Sequence, residues 1–353
     1  MRPSDIDQEA AVAPRQPHRL RAVARLAIGV GVIAFLLWQT DISSIEQALV
    51  SAKPVLIVVG FLLTVCLLVV SAFRWRVFLE ALDIKLRAGT ALRLTFVGAF
   101  FNAFLPTGIG GDAYKAIRVR EANTSLAASF ASVLLDRLSG IAALAAICIF
   151  AAAFSLMRSE ATTLVVAGLA VSTGILVLGV ALLVLGERVV GGGKGTWFGL
   201  RPRLRRALDA AAGAIRDPST VARSFALALL GQAFGIAAYV SLARSLEIEV
   251  SPAVIALGLL NATVASAVPV TVNGLGIREA VWVWSLSLYG VGRGDALAYA
   301  LVVLGVALCT SVLGGVIYAI SRGDVTSGHV RIEGQRPLPH EPRSQYERAE
   351  QDH

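Results

Sequence analysis

The sequence predicts an all-α polytopic membrane protein: six full spans plus two broken or re-entrant helical hairpins, arranged as an inverted repeat. Three observations predict it. Hydrophobic residues make up 56% of the 353-residue chain and charged residues only 16%, with a mean hydropathy of +0.71, where soluble domains carry about 25% charged residues. The apolar residues fall in runs of roughly 17 to 25, the length at which a helix crosses the hydrocarbon core. Two runs are interrupted by proline and glycine, one in each half of the chain, as in transporters built from inverted repeats.

In chain order, residues 1–21 are a polar, Pro-containing tail and the first span covers 22–40. Its apolar stretch, Leu26 to Trp38, meets no small-x-small cleavage site before Gln39-Thr40-Asp41, so it reads as a retained span rather than a signal peptide. A second span covers 54–73, and a broken segment covers 90–135. Spans at 138–156 and 162–185 follow. The 186–220 loop places Leu204, Leu208, Ala211 and Ile215 at helical spacing behind Arg201, Arg203, Arg205 and Arg206, the pattern of a helix lying on an anionic leaflet. A span at 221–243, a second broken segment at 252–293 and a span at 296–320 complete the membrane domain. Residues 321–353 read as a disordered tail. The two halves are 22–156 and 162–320, and Trp38 and Trp75 near span ends read as interface anchors.

Positive charge fixes the orientation. The N-terminal tail, the 74–93 loop, the 186–223 loop and the C-terminal tail hold 23 Lys and Arg, whereas the complementary loops hold Lys53, Arg158, Arg244 and Arg293. Positive loops stay inside, so both termini are assigned to the cytoplasm. Segment 90–135 then enters and leaves from the cytoplasmic side, and 252–293 from the exterior, so that the two breaks face each other.

Several functions are excluded. The net charge of +8 lies between apolar runs rather than on a soluble face, which argues against nucleic acid. Cys66, Cys148 and Cys309 sit far apart in apolar sequence without disulfide or metal spacing. All four histidines, at 18, 329, 340 and 353, lie in the tails, so no intramembrane histidine can ligate a metal or relay protons. GGGKGT (191–196) lacks a Gly-Lys-Ser/Thr triplet, and GLGIRE lacks the third glycine of a dinucleotide fingerprint. No cofactor, metal or catalytic motif is implied.

The chemistry lies at the breaks. Pro106, Gly108, Gly110 and Gly111 in the first segment, and Pro269, Gly274 and Gly276 in the second, let a helix stop and restart inside protein. A restarting N-terminus points bare N–H groups and positive dipole at an anion. A helix after Gly110-Gly111 with Asp112 as its cap places Asp112, Lys115 and Arg118 on one slowly turning face, where the cations can hold a lipid phosphate. Asp136-Arg137 and Arg278-Glu279 stand at the edge of or within apolar sequence, where an unpaired charge costs about 2.5–3.5 kcal/mol. Neighbours on a helix diverge by about 100°, so pairing across the halves is expected: Asp112 or Asp136 with Arg278, and Glu279 with Arg137. Asn102, Asn273 and Gln232 are candidate polar lining.

The stretches FNAFLPTGIGGDAYKAIRVRE (101–121), SVLLDRLSG (132–140) and VPVTVNGLGIRE (268–279) resemble the marks of the lysylphosphatidylglycerol synthase transmembrane, or flippase-like, family, including UPF0104-like proteins, over roughly 22–320. Only about 30 residues follow Arg322, so the soluble aminoacyl-transferase domain of the two-part synthases is not in this sequence, and aminoacyl transfer is not implied. The resemblance implies a transporter of the inner membrane that moves an anionic phospholipid or lipid-linked headgroup between leaflets. Lys115, Arg118, Arg137 and Arg278 would bind the substrate, and Asp112, Asp136 and Glu279 would hold these cations or couple to protons. The alternative is a membrane enzyme or an accessory scaffold in envelope lipid modification. The partner implied is a membrane lipid, with a separate lipid-modifying enzyme as a second candidate.

Overall fold

The computed structural model describes residues 17–40, 42–105, 110–120, 126–157, 211–214, 216–267 and 271–325, with isolated positions between 165 and 174. Among the described residues the chain is helical and holds no strand. Helix α1 (Pro17–Trp38) and the short α2 (Ile42–Val50) precede α3 (Pro54–Ala81), α4 (Ala88–Phe104), α5 (Gly110–Arg120) and α6 (Leu126–Met157). Then come α7 (Pro218–Ser245), α8 (Pro252–Ala267), a 3-10 turn (Val272–Gly274), α9 (Ile277–Ser287) and α10 (Arg293–Val325).

Helices α3 to α6 are 28, 17, 11 and 32 residues long, and α7 to α10 are 28, 16, 11 and 33. Their ends match as well. Both α3 and α7 start on a proline, Pro54 and Pro218, where the missing N–H costs nothing. Helix α3 closes with Ile84 N–H donating to the Leu79 carbonyl at 2.8 Å past a left-handed Asp83 (φ 59°). Helix α7 closes with Ile248 N–H donating to the Ala243 carbonyl at 3.0 Å past a left-handed Glu247 (φ 58°). Each is the C″-to-C3 bond of a Schellman ending, made without the usual glycine.

Helices α3 and α7 form the most extensive helix pair of the structure and run antiparallel. Lys53 N–H donates to the Ser245 carbonyl at 2.8 Å, Ser241 Oγ donates to the Leu56 carbonyl at 2.8 Å, and Leu67 lies against Gly231 and Gly235. The two quartets, α3–α6 and α7–α10, also exchange partners: α4 packs on α10 and α8 packs on α6. On one side, Ile45 and Ala48 of α2 pack on Leu242, Ala243 and the start of α10. On the other, Ala211 and Ala214 pack on Phe78 with Ala131 and Leu135 at the start of α6.

Four of the six predicted spans are helices long and apolar enough to cross a membrane: α3, α6, α7 and α10. The first predicted span, 22–40, instead forms part of a pair, α1 and α2, bent by 92°. Most of the span predicted at 162–185 and most of the 186–220 loop lie outside the described residues, as do both tails beyond α1 and α10, Pro106, Gly108 and Pro269. Two boundaries are corrected. Helix α3 runs to Ala81 rather than 73, so Trp75, read from sequence as an interface anchor, is fully buried. Helix α6 starts at Leu126 rather than 138, which puts Asp136 and Arg137 inside it.

The N-cap of α7 gives a pH-dependent test outside the spans. Asp217 accepts from the Ser219 amide at 3.1 Å and the Thr220 amide at 3.0 Å, and from both hydroxyls. These bonds, the Thr220 hydroxyl foremost, hold its carboxyl down at about 2. The stabilisation is therefore full above the ordinary carboxylate value near 3.9 and is lost as pH falls toward about 2. Asp217→Ala is expected to lower the melting temperature at pH 7, with the gap from wild type narrowing below pH 4 in a thermal scan.

Candidate functional site

Each short helix begins with an acid in its first turn, Asp112 in α5 and Glu279 in α9, where the helix dipole favours negative charge. Each acid holds one arginine. Asp112 accepts a two-pronged bond from Arg137 of α6, both at 3.0 Å. Glu279 Oε1 stands 3.4 Å from Nε and Nη2 of its neighbour Arg278, while its Oε2 accepts from the Gly276 amide at 2.6 Å. The pairing predicted across the halves is thus corrected: both pairs form within their own set of four helices, because Glu279 reaches back to the Gly276 amide and both oxygens of Asp112 are taken by Arg137. Asp112 is also not the cap, since α5 already begins at Gly110.

Behind Asp112 lies a buried cluster. Arg74 Nε donates to Asp136 Oδ1 at 2.8 Å, and Lys115 Nζ stands 3.7 Å from Asp136 Oδ2. Their side chains are 8, 7 and 6% exposed for Arg74, Lys115 and Asp136. The Lys115 ammonium sits 4.1 Å from the centre of the Trp75 ring, a cation–π contact, and Trp75 Nε1 donates to Ser132 Oγ at 3.1 Å. Gly140 lies under the Arg74 guanidinium. Sequence reasoning missed Arg74 because it counted this residue among the charges of a loop. Its position one step beyond an unbroken apolar run, beside Trp75, was the available signal.

The remaining predicted residues separate by role. Asn102 Oδ1 accepts from the Gly111 amide at 2.8 Å and so ties α4 to the start of α5. Gln232 Nε2 donates to the Gly140 carbonyl at 2.9 Å and joins α7 to α6. Arg118 lies with Cζ 5.4 Å from the centre of the Tyr114 ring on its own helix. Gly111 meets Gly98 so closely that an added Cβ would overlap the Gly98 carbonyl. Gly110 packs on Leu105. Gly274 (φ 75°) and Gly276 (φ 82°) adopt left-handed backbone, and Gly276 also abuts Gly29 of α1.

A cavity of about 510 Å³ opens between the end of α4 and the second break. Ala103 and Phe104 line it from α4, Leu275, Asn273 and Arg278 from the break, and Leu304, Leu308 and Ser311 from α10, with Leu26 of α1 at its side. Among the described residues, Arg278 is the charged one of this wall. Asn273, Phe104, Leu26 and Leu308 are exposed at its rim. Of the four predicted cations, the cavity takes Arg278 alone; Lys115, Arg118 and Arg137 belong to the other quartet's surroundings.

Residues 22–315 match the family described as Lysylphosphatidylglycerol synthase TM region. The chain is similar to a UPF0104 membrane protein of Pyrococcus horikoshii, with 25% identity over 156 residues, 43% of this chain and 47% of that protein. It is also similar to a UPF0104 membrane protein of Methanothermobacter thermautotrophicus, with 26% identity over 132 residues, 37% of this chain and 38% of the relative. The matched stretch spans less than half the length of each relative.

Proposed function

The chain belongs to the lysylphosphatidylglycerol synthase TM region family, and from that premise we propose that it is a membrane lipid transporter that moves an anionic phospholipid or lipid-linked headgroup between leaflets. The observation that carries the reading is the cavity walled by apolar side chains and read by the Arg278 guanidinium. A guanidinium has five N–H donors, and Glu279 engages two of them at 3.4 Å, which leaves the rest of the fork for a phosphate. Apolar walls with a rim of exposed Leu26, Phe104 and Leu308 suit the acyl chains of the same molecule.

The two quartets form an inverted repeat in this reading. Helix lengths that agree to within one residue, matched Schellman endings and the antiparallel seam of α3 with α7 all support it. A two-fold relation between antiparallel partners turns one quartet over relative to the other, so the short helices α5 and α9 enter as re-entrant halves from opposite sides. Arg137 with Asp112 and Arg278 with Glu279 are then two faces of one alternating headgroup path, and Arg118 stands at the cytoplasmic mouth. In this reading the protein sits in the inner membrane with both termini cytoplasmic, which the bias of basic residues toward one set of loops supports.

In proteoliposomes, the wild type is expected to move a headgroup-labelled anionic phospholipid, and Arg278→Ala to slow it by roughly 10- to 100-fold, the worth of a charged hydrogen bond of about 1.5–3 kcal/mol. Absence of any movement by the wild type, or an undiminished rate in Arg278→Ala, would overturn the reading.

A further inference from the structure

Two cations share one carboxylate in the buried cluster. Arg74 holds Asp136 Oδ1 at 2.8 Å, whereas Lys115 remains 3.7 Å from Oδ2, beyond hydrogen-bond reach, and rests on the Trp75 ring. The neighbouring pair of Asp112 and Arg137 neutralises itself. The five groups therefore sum to zero when Lys115 is an amine and to one surplus positive charge when it is an ammonium. Arginine does not give up its proton in proteins, whereas a buried lysine does so readily.

The second quartet supplies an internal control. Arg74 is the twenty-first residue of α3, Lys115 the sixth of α5 and Asp136 the eleventh of α6; the same places in α7, α9 and α10 hold Ala238, Trp282 and Val303. There Trp282 stacks on Tyr239 with ring centres 5.4 Å apart, where Lys115 meets Trp75. These three places are thus filled without charge on one side. Buried ion networks add little over apolar packing of the same shape, so the charges in the first quartet are not explained by packing.

We infer that Lys115 is a reversible proton site whose loading is linked to the anionic cargo, so that one proton is taken up as one headgroup anion arrives. This rests on the transport reading above. The step balances as ammonium to amine plus a proton released to water on the side where Arg137 is 53% exposed; the cargo's negative charge offsets the surplus while the ammonium persists. The groups around Lys115 are Arg74 of α3, Asp136 and Arg137 of α6, and Asp112 and Arg118 on its own helix. Helix α4 lays Gly98 against its stem, and Arg93 lies about 140° round that helix from Gly98.

The test uses the full chain in phosphatidylcholine vesicles containing headgroup-labelled phosphatidylglycerol, whose phosphodiester does not titrate between pH 6 and 9. The wild type is expected to lose affinity by up to tenfold per pH unit within that range, and its lipid movement to respond to an imposed pH gradient. Lys115→Arg, always charged, is expected to bind at every pH without a slope or a gradient response. Lys115→Met, never charged, is expected to be weak and flat, with Lys115→Gln as its replacement if it fails to fold. A flat wild type, or a wild-type slope in the Met or Gln variant, would overturn the linkage. A wild type that moves lipid with no pH slope sinks this inference alone, whereas one that moves no lipid sinks the transport reading and the linkage with it.

Discussion

Asp136→Ala is expected to lower the unfolding free energy by about 3–5 kcal/mol, the cost of stripping one partner from a buried ion pair. Arg74 and Lys115, 8% and 7% exposed, would then face each other with no carboxylate between them. Arg74 cannot respond by losing its proton, so the loss cannot be relieved as it is at an ordinary buried lysine. Removing the charges together should behave differently. The triple change Arg74→Met, Lys115→Met and Asp136→Val gives the site the apolar character already found at Ala238, Trp282 and Val303, and it is expected to recover most of the lost stability. Denaturant unfolding in detergent, followed by the fluorescence of the buried Trp75, measures both. A triple variant as unstable as Asp136→Ala would mean that the cluster is a structural lock.

Gly111→Ala is expected to cost about 1–3 kcal/mol, as overpacking does, and to pull α4 away from α5. The added methyl overlaps the Gly98 carbonyl, a backbone atom with no rotamer to escape into. The displacement would also stretch the bond from the Gly111 amide to Asn102. Gly305→Ala is the control: nothing lies within 4 Å of its added methyl, and α10 there is regular helix, so a gain of about 0.5–1 kcal/mol is expected. Thermal melting of the two variants beside wild type decides the matter. If Gly111→Ala melts with the wild type, the close approach of α4 and α5 is not a feature of the folded protein.

Hydropathy made the long helices legible, because α3, α6, α7 and α10 each carry an apolar stretch long enough to cross a membrane. The breaks were legible too, since Gly274 and Gly276 need backbone that other residues rarely adopt. Partner choice was not. Arg74 and Asp136 are 62 residues apart, and a sequence rule that counts basic residues as topology signals assigns Arg74 to a loop before any partner is considered. The expectation that Glu279 pairs with Arg137 failed for a local reason: the carboxylate reaches back to the Gly276 amide at 2.6 Å, a capping bond that spacing alone does not rank above an ion pair. The matched turns at Asp83 and Glu247 escaped notice because neither residue is glycine.

The lengths of α4 and α8 bear on the membrane itself. At 17 and 16 residues they reach roughly 25 Å at 1.5 Å per residue, short of a hydrocarbon layer about 30 Å thick. Lipid meets such a mismatch by compressing beside the short element, at a fraction of a kcal/mol per Å. Bilayer thickness is therefore expected to act on this protein: acyl chains that are too long would crowd polar backbone at the ends of these two short helices.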